Sequence, residues 1–150
     1  MIEKLLVILE KQEGNLNKLL KFVLEKQVAL VNNNNEGIKD SVSKEEKLLL
    51  TVQLTEEMRL KVMEEIFTNY QIDNERYKLS IMIENLKGKI DEKLIHNITL
   101  YEQRIKKVIK EVQKINQQNM LLIQQSRSLI NETITAVLNL NNRTIVDRKA

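Results

Sequence analysis

Apolar residues in the second half of the chain recur in alternating steps of four and three. Leu94, Ile98, Tyr101, Ile105, Val108, Val112 and Ile115 form one 3.5-residue stripe, the seam of a long helix packed against a neighbour. Continued downstream, the same register meets Asn119, Leu122, Ser126, Leu129, Thr133, Ala136 and Leu140, so polar or small residues now alternate with leucine. Beside it Ile123, Ile130, Ile134 and Val137 make a second stripe, and residues 120–123 are apolar at four consecutive positions. A helix over residues 89–140 therefore needs one neighbour in its first half and offers more apolar surface in its second half than one neighbour covers. At the rise of an α-helix, the stretch 90–140 would span roughly 75 Å. The expectation is a rod organised around this helix.

The first helix is expected over residues 2–31. Ile2, Leu6, Leu9, Leu16, Leu20, Val23 and Leu30 keep the 3.5 spacing, with Glu13 and Gln27 in slots where an apolar residue is expected, and Leu5, Ile8, Leu19 and Phe22 broaden the face. Four asparagines at 32–35 end it, because asparagine competes for its own backbone and tolerates left-handed geometry. Gly37, Ser41 and Ser43 extend the weak region. A second helix is expected over 44–70, opened by a capping-box pattern of Ser43 with Glu46 and carrying Leu49, Val52, Leu60, Met63, Phe67 and Tyr70. A polar turn at 71–75 leads to a short helix over 76–87 with Leu79, Met82, Ile83 and Leu86. Gly88 is then either a joint or a weak interior point of one continuous helix. The pattern stops after Leu140, which leaves one domain over 1–142 and a tail at 143–150 expected to be mobile. The fold class is all-α: an elongated antiparallel helical bundle or coiled coil of three to four helices, with one long C-terminal helix.

Composition agrees, since the chain is 42% hydrophobic and 30% charged with no proline and three glycines. Aromatics are only 3% and tryptophan is absent, so the core must be aliphatic layers between helices. The net charge of +3 gives no strong reason to expect nucleic acid. Residues 36–70 carry eight acids and five bases, net −3, and residues 87–127 carry nine bases and four acids, net +5. Two antiparallel helices of such opposite bias would attract modestly.

No enzyme site can be assembled, and no cofactor or metal is expected. The absence of cysteine excludes disulfides, thiolate metal sites and cysteine nucleophiles. His96 is the one histidine and has no second histidine or cysteine to join it as a ligand set, so it reads as a solvated rim residue. Lys106, Lys107, Lys110 and Lys114 make a basic strip, but Glu102 and Glu111 interrupt it and no aromatic is interleaved for base stacking. Met58, Met63 and Met82 read as core filler, whereas Met120 opens the apolar run. The apolar run at residues 5–9 is too short for a signal peptide or membrane span. A cytoplasmic protein is expected, in which the Asn-x-Thr sequons at Asn97, Asn131 and Asn142 carry no meaning.

A second helix with Glu57, Arg59 and the apolar Val62 and Met63, followed by a final helix with Asn116, Asn119, Leu122 and Ile123, resembles the FlgN family of flagellar type III export chaperones. The similarity covers approximately residues 2–140. It implies a cytoplasmic chaperone that binds the C-terminal amphipathic helix of hook-associated proteins, the hook–filament junction subunits, and delivers them to the export apparatus. Carried over by position, the client-binding surface is Asn119, Met120, Leu122, Ile123, Leu129, Ile130, Ile134 and Val137. The alternative is a structural coiled-coil oligomer or adaptor, such as a homodimer, that buries the same stripe against its own copy.

Overall fold

In a computed structural model the chain is 88% helical, without strands among the described residues. The structure describes residues 1–73 and 76–149, with the side chains of Ile130, Leu140 and residues 141–149 outside the description. Four helices follow in order: α1 (Ile2–Val31), α2 (Asn35–Asn69), α3 (Leu79–Leu86) and α4 (Glu92–Lys149). α1 and α2 form an antiparallel hairpin, α3 lies at its open end, and α4 runs back parallel to α1. The direction is fixed by residue pairs: Asn15 with Thr55 and Lys26 with Glu45 join α1 to α2, while Glu13 with Arg104 and the Val23 carbonyl with Asn119 join α1 to α4.

The hub is therefore α1 and not the long C-terminal helix, because α1 packs along both α2 and α4. Its buried stripe is Ile2, Leu5, Leu9, Gln12, Leu16, Leu19 and Val23, a strict alternation of three and four. The polar residue in that stripe is Gln12 rather than the Glu13 expected from sequence. The α4 seam is as expected: Ile98 and Val112 are buried and Leu94, Tyr101, Ile105, Val108 and Ile115 half-buried. Three ion pairs that cross between helices also involve α1. Lys26 meets Glu45 at 3.0 Å, Arg104 meets Glu13 at 3.4 Å and Lys44 meets Glu25 at 3.9 Å. Lys44 also binds Asp40 at 3.1 Å, and that hydrogen bond and charge, with Glu25 adding less, hold its pKa above the ordinary lysine value. The opposite charges of α2 and α4 are thus answered largely through α1.

The core tapers. At the α3 end, side chains from all four helices meet in one cluster that includes Leu5, Met63, Ile66, Met82, Leu86 and Ile98. Phe67 and Tyr77 pack edge to face there, with ring centroids 5.2 Å apart. Further along, the second cluster is Leu16, Leu19 and Val23 of α1 against Val112 of α4. Beyond the end of α1, α4 continues with no such cluster among the described residues. Its 58 residues correspond to about 87 Å, against about 45 Å for the 30 of α1. The accessible surface of 10884 Å² exceeds the roughly 7900 Å² of a compact monomer of this mass, which is the cost in exposure of a rod.

The turns account for the helix boundaries that differ from expectation. All four asparagines serve one tight reversal: Asn32 is the C-cap of α1, Asn33 is left-handed at φ 52°, Asn34 caps α2 and Asn35 begins it. The Asn34 N–H donates to the Ala29 carbonyl at 2.9 Å, closing a Schellman motif. Its side chain accepts from the Gly37 N–H at 3.1 Å, so α2 starts at Asn35 and not at residue 44. Gly37 lies inside the helix, and its lack of a side chain leaves room for the capping Asn34, whose side chain would come within 2.7 Å of a Cβ there. Ser41 is buried within α2, and the Ser43–Glu46 capping box is not used as a helix start.

α2 ends in a second Schellman motif. Gln71 takes φ 54° and Ile72 donates to the Phe67 carbonyl at 2.8 Å. Asn74 and Glu75, part of the expected 71–75 turn, lie outside the described residues. α3 is shorter than the expected 76–87, and Gly88 at φ 80° is a joint. Asp91 then caps α4, accepting from the Lys93 N–H at 3.0 Å, so α4 starts at Glu92 and not at residue 89. It runs past Leu140 to Lys149, so the expected helix end at 140 is not observed. The side chains of the tail expected at 143–150 lie outside the described residues.

Two substitutions test this account of the turns. Asn34→Ala removes the cap on α2 and lowers stability by about 1 kcal/mol, read as a lower urea midpoint at unchanged slope. Gln71→Gly relieves the left-handed penalty and raises stability by about 1 kcal/mol in the same assay.

Candidate functional site

Two surfaces stand out. The first is a trough floored by Leu9, Gln12 and Leu16 of α1, because α2 and α4 splay apart over it. Leu49, Val52, Glu56 and Arg59 form one wall, Ile105, Lys106 and Ile109 the other, and the start of α3 closes an end; the volume is about 1020 Å³. Gln12 donates from Nε2 to the Val52 carbonyl at 3.3 Å, while its buried Oε1 finds no partner among the described residues. The rim carries acids and bases in equal number, Glu56, Glu57 and Glu102 against Arg59, Lys78 and Lys106.

The second surface is the part of α4 that outlasts the bundle. α1 stops at Val31, which lies beside Leu121 and Leu122 of α4. Over residues 124–139 every described side chain is exposed. Leu129 is 65% exposed, Ile134 53%, Val137 50% and Leu138 57%, which is unusual for large apolar side chains clustered on one element. A helix that continues from a packed one pays no new nucleation cost, which is how the chain can hold these residues out in water.

The residues singled out from sequence divide into three groups. Met120, Leu129, Ile134 and Val137 are exposed, Met120 just before α4 passes the end of α1 and the other three beyond it. Leu122 and Ile123 are half-buried where α4 leaves the bundle. Asn119 is not part of the face. It is 1% exposed, wedged between α1 and α4, and donates from Nδ2 to the Val23 carbonyl at 3.0 Å, while its Oδ1 has no partner among the described residues. A polar residue in a seam register is equally compatible with both positions, and the structure places this one inside. The side chain of Ile130 lies outside the described residues.

The sequence reading passed over Leu24, Val28 and Val31 of α1, which are 41%, 60% and 63% exposed, and Leu121 of α4, 57% exposed. The signal was present: Leu24, Val28 and Val31 are spaced by four and three on the flank of the α1 seam, and Leu121 is the outward member of the run at 120–123. Of the methionines, Met63 and Met82 are fully buried filler, but Met58 is 47% exposed, contrary to expectation. His96 is exposed on α4. Among the described residues no group of histidine, cysteine, aspartate and glutamate is placed to hold a metal ion, and no helix is long and apolar enough to cross a membrane.

Asn119→Ala is expected to destabilise the bundle by about 1 to 2 kcal/mol, measured by urea unfolding, because it deletes a buried hydrogen bond and leaves a small void.

Searches of curated proteins and of solved structures return no match. The family model described as FlgN protein matches residues 1–145, nearly the whole chain, so this chain belongs to the FlgN family of flagellar export chaperones.

Proposed function

We propose that this chaperone captures the C-terminal amphipathic helix of hook-associated junction proteins on the projecting half of α4. It holds these subunits unassembled in the cytoplasm until the export apparatus takes them. The observation that supports this reading is the persistence of α4 beyond the bundle with Leu129, Ile134, Val137 and Leu138 in water. A chaperone for a helix must keep an apolar face uncovered without collapsing onto it, and a single helix extending past its neighbours does this.

The energetics are adequate. Each well-covered leucine or isoleucine contributes about 1.5 to 3 kcal/mol, before the costs of association and of ordering the client. A micromolar complex needs about 8 kcal/mol, so a handful of anchors is enough. Helix-in-groove capture also masks the face by which the client would join its neighbours.

Replacing Leu129 and Ile134 together by aspartate tests the reading by co-purification from the native cells. Wild type is expected to retain a hook-associated protein and the double variant to lose it, with the urea midpoint of the bundle unchanged, since both positions lie outside its buried clusters. A concentration-independent homodimer that excludes the client would instead favour a structural role for the same stripe.

A further inference from the structure

The exposed apolar surface does not end where α4 meets the bundle. Leu24 and Val28 line a shallow groove along α1, Val28 and Val31 share the next one with Leu121, and Leu121 shares a third with Leu129. Each groove passes residues on to the next, so one strip crosses from α1 to α4. Because the two helices run in the same direction, the stretches 20–31 and 121–132 follow one another along the rod, about 30 Å in all, the length of a helix of about 20 residues.

The polar groups at the crossing have a distinct chemistry. The groove that joins the helices is lined by Gln27, Asn32, Gln118 and Gln125 around its apolar residues, and holds no ionisable side chain. Gln27 donates from Nε2 to Gln118 Oε1 at 2.9 Å, tying the two walls together with an amide pair. Arg127 is the one ionisable residue over 115–131, in a chain that is 30% charged overall. Outside the crossing, ionisable groups touch the strip on both helices, Lys21 and Glu25 on α1 and Glu132 on α4. A charge brought to the crossing would lose water and gain no counter-ion, whereas amide and hydroxyl side chains can exchange hydrogen bonds with the glutamines.

We infer that α1 supplies the second wall of the docking site, through Leu24, Val28 and Val31, and that its occupant is an amphipathic helix whose flanks at the α1–α4 crossing are amides and hydroxyls rather than charges. This rests on the client-capture reading and adds to it both the α1 residues and the chemistry of the client. The trough between α2 and α4, with its six ionisable rim residues, is a surface of different character and is not part of this site.

The test is calorimetric titration of the full-length protein with a hook-associated protein purified from the same cells, at low and at high salt. Val28→Asp with Val31→Asp is expected to weaken binding at least about tenfold with circular dichroism unchanged, and Val28→Gln with Val31→Gln, which keeps the helix and adds no charge, to weaken it in the same direction. Wild-type affinity should differ less than about twofold between the two salt conditions. If both α1 pairs bind like wild type while Leu129→Asp loses the client, the site is confined to α4; this inference is overturned and the capture reading stands. If Leu129→Asp and the α1 pairs all bind normally, both fall. A steep loss of affinity with salt overturns the uncharged occupant.

Discussion

The buried stripe of α1 is the constraint on which the rest depends. α2 and α4 both pack on this helix, and the hydrogen bonds and ion pairs that cross between the long helices start from it. Consequently the bundle can extend only as far as α1 does. With 30 residues in α1 and 58 in α4, an unsupported length of α4 is built into the topology and needs no separate device to hold it open. The four-helix cluster at the α3 end anchors one end of the rod, and packing thins steadily toward the other.

Two polar residues sit in seams where apolar ones would pack better. Gln12 donates to the Val52 carbonyl of α2 and Asn119 to the Val23 carbonyl of α1. Each leaves one oxygen unpartnered among the described residues, so neither is optimal for stability. Both acceptors are helix carbonyls, which recur at every turn, so these bonds tie α1 to α2 and α1 to α4 without selecting one axial alignment. What limits the contact of α4 is the length of α1, which ends beside Leu121 and Leu122.

Much of this was legible in the sequence because it depends on local periodicity. The seam from Leu94 to Ile115 and the bounds of α1 follow from the 3.5 spacing, and the asparagine tract was readable as a cap and turn. What escaped was set by tertiary geometry. The start of α2 depends on the Asn34 side chain reaching the Gly37 N–H, which brings residues 35–43 into the helix despite their glycine and serines. The central role of α1 was hidden because a helix with two neighbours and a helix with one carry similar stripes when both are amphipathic. Asn119 could be placed on the seam but not inside or outside it, since that depends on how far α1 extends. Leu24, Val28 and Val31 lie beside a seam and look like a broadened core until the neighbour that would cover them proves absent.

The unsupported length of α4 has a further consequence. Over residues 124–139 every described side chain is exposed, so the persistence of the helix there is a matter of propagation from the packed end, residue by residue. Thr133, Thr135, Asn131 and Asn139 are weak helix formers in this stretch. The exposed stretch is therefore graded, firm where it leaves α1 and progressively easier to unwind away from it. A partner seated from the α1 end outward would meet a formed template first and then add order to the rest, so that surface residues touching nothing influence how tightly it is held.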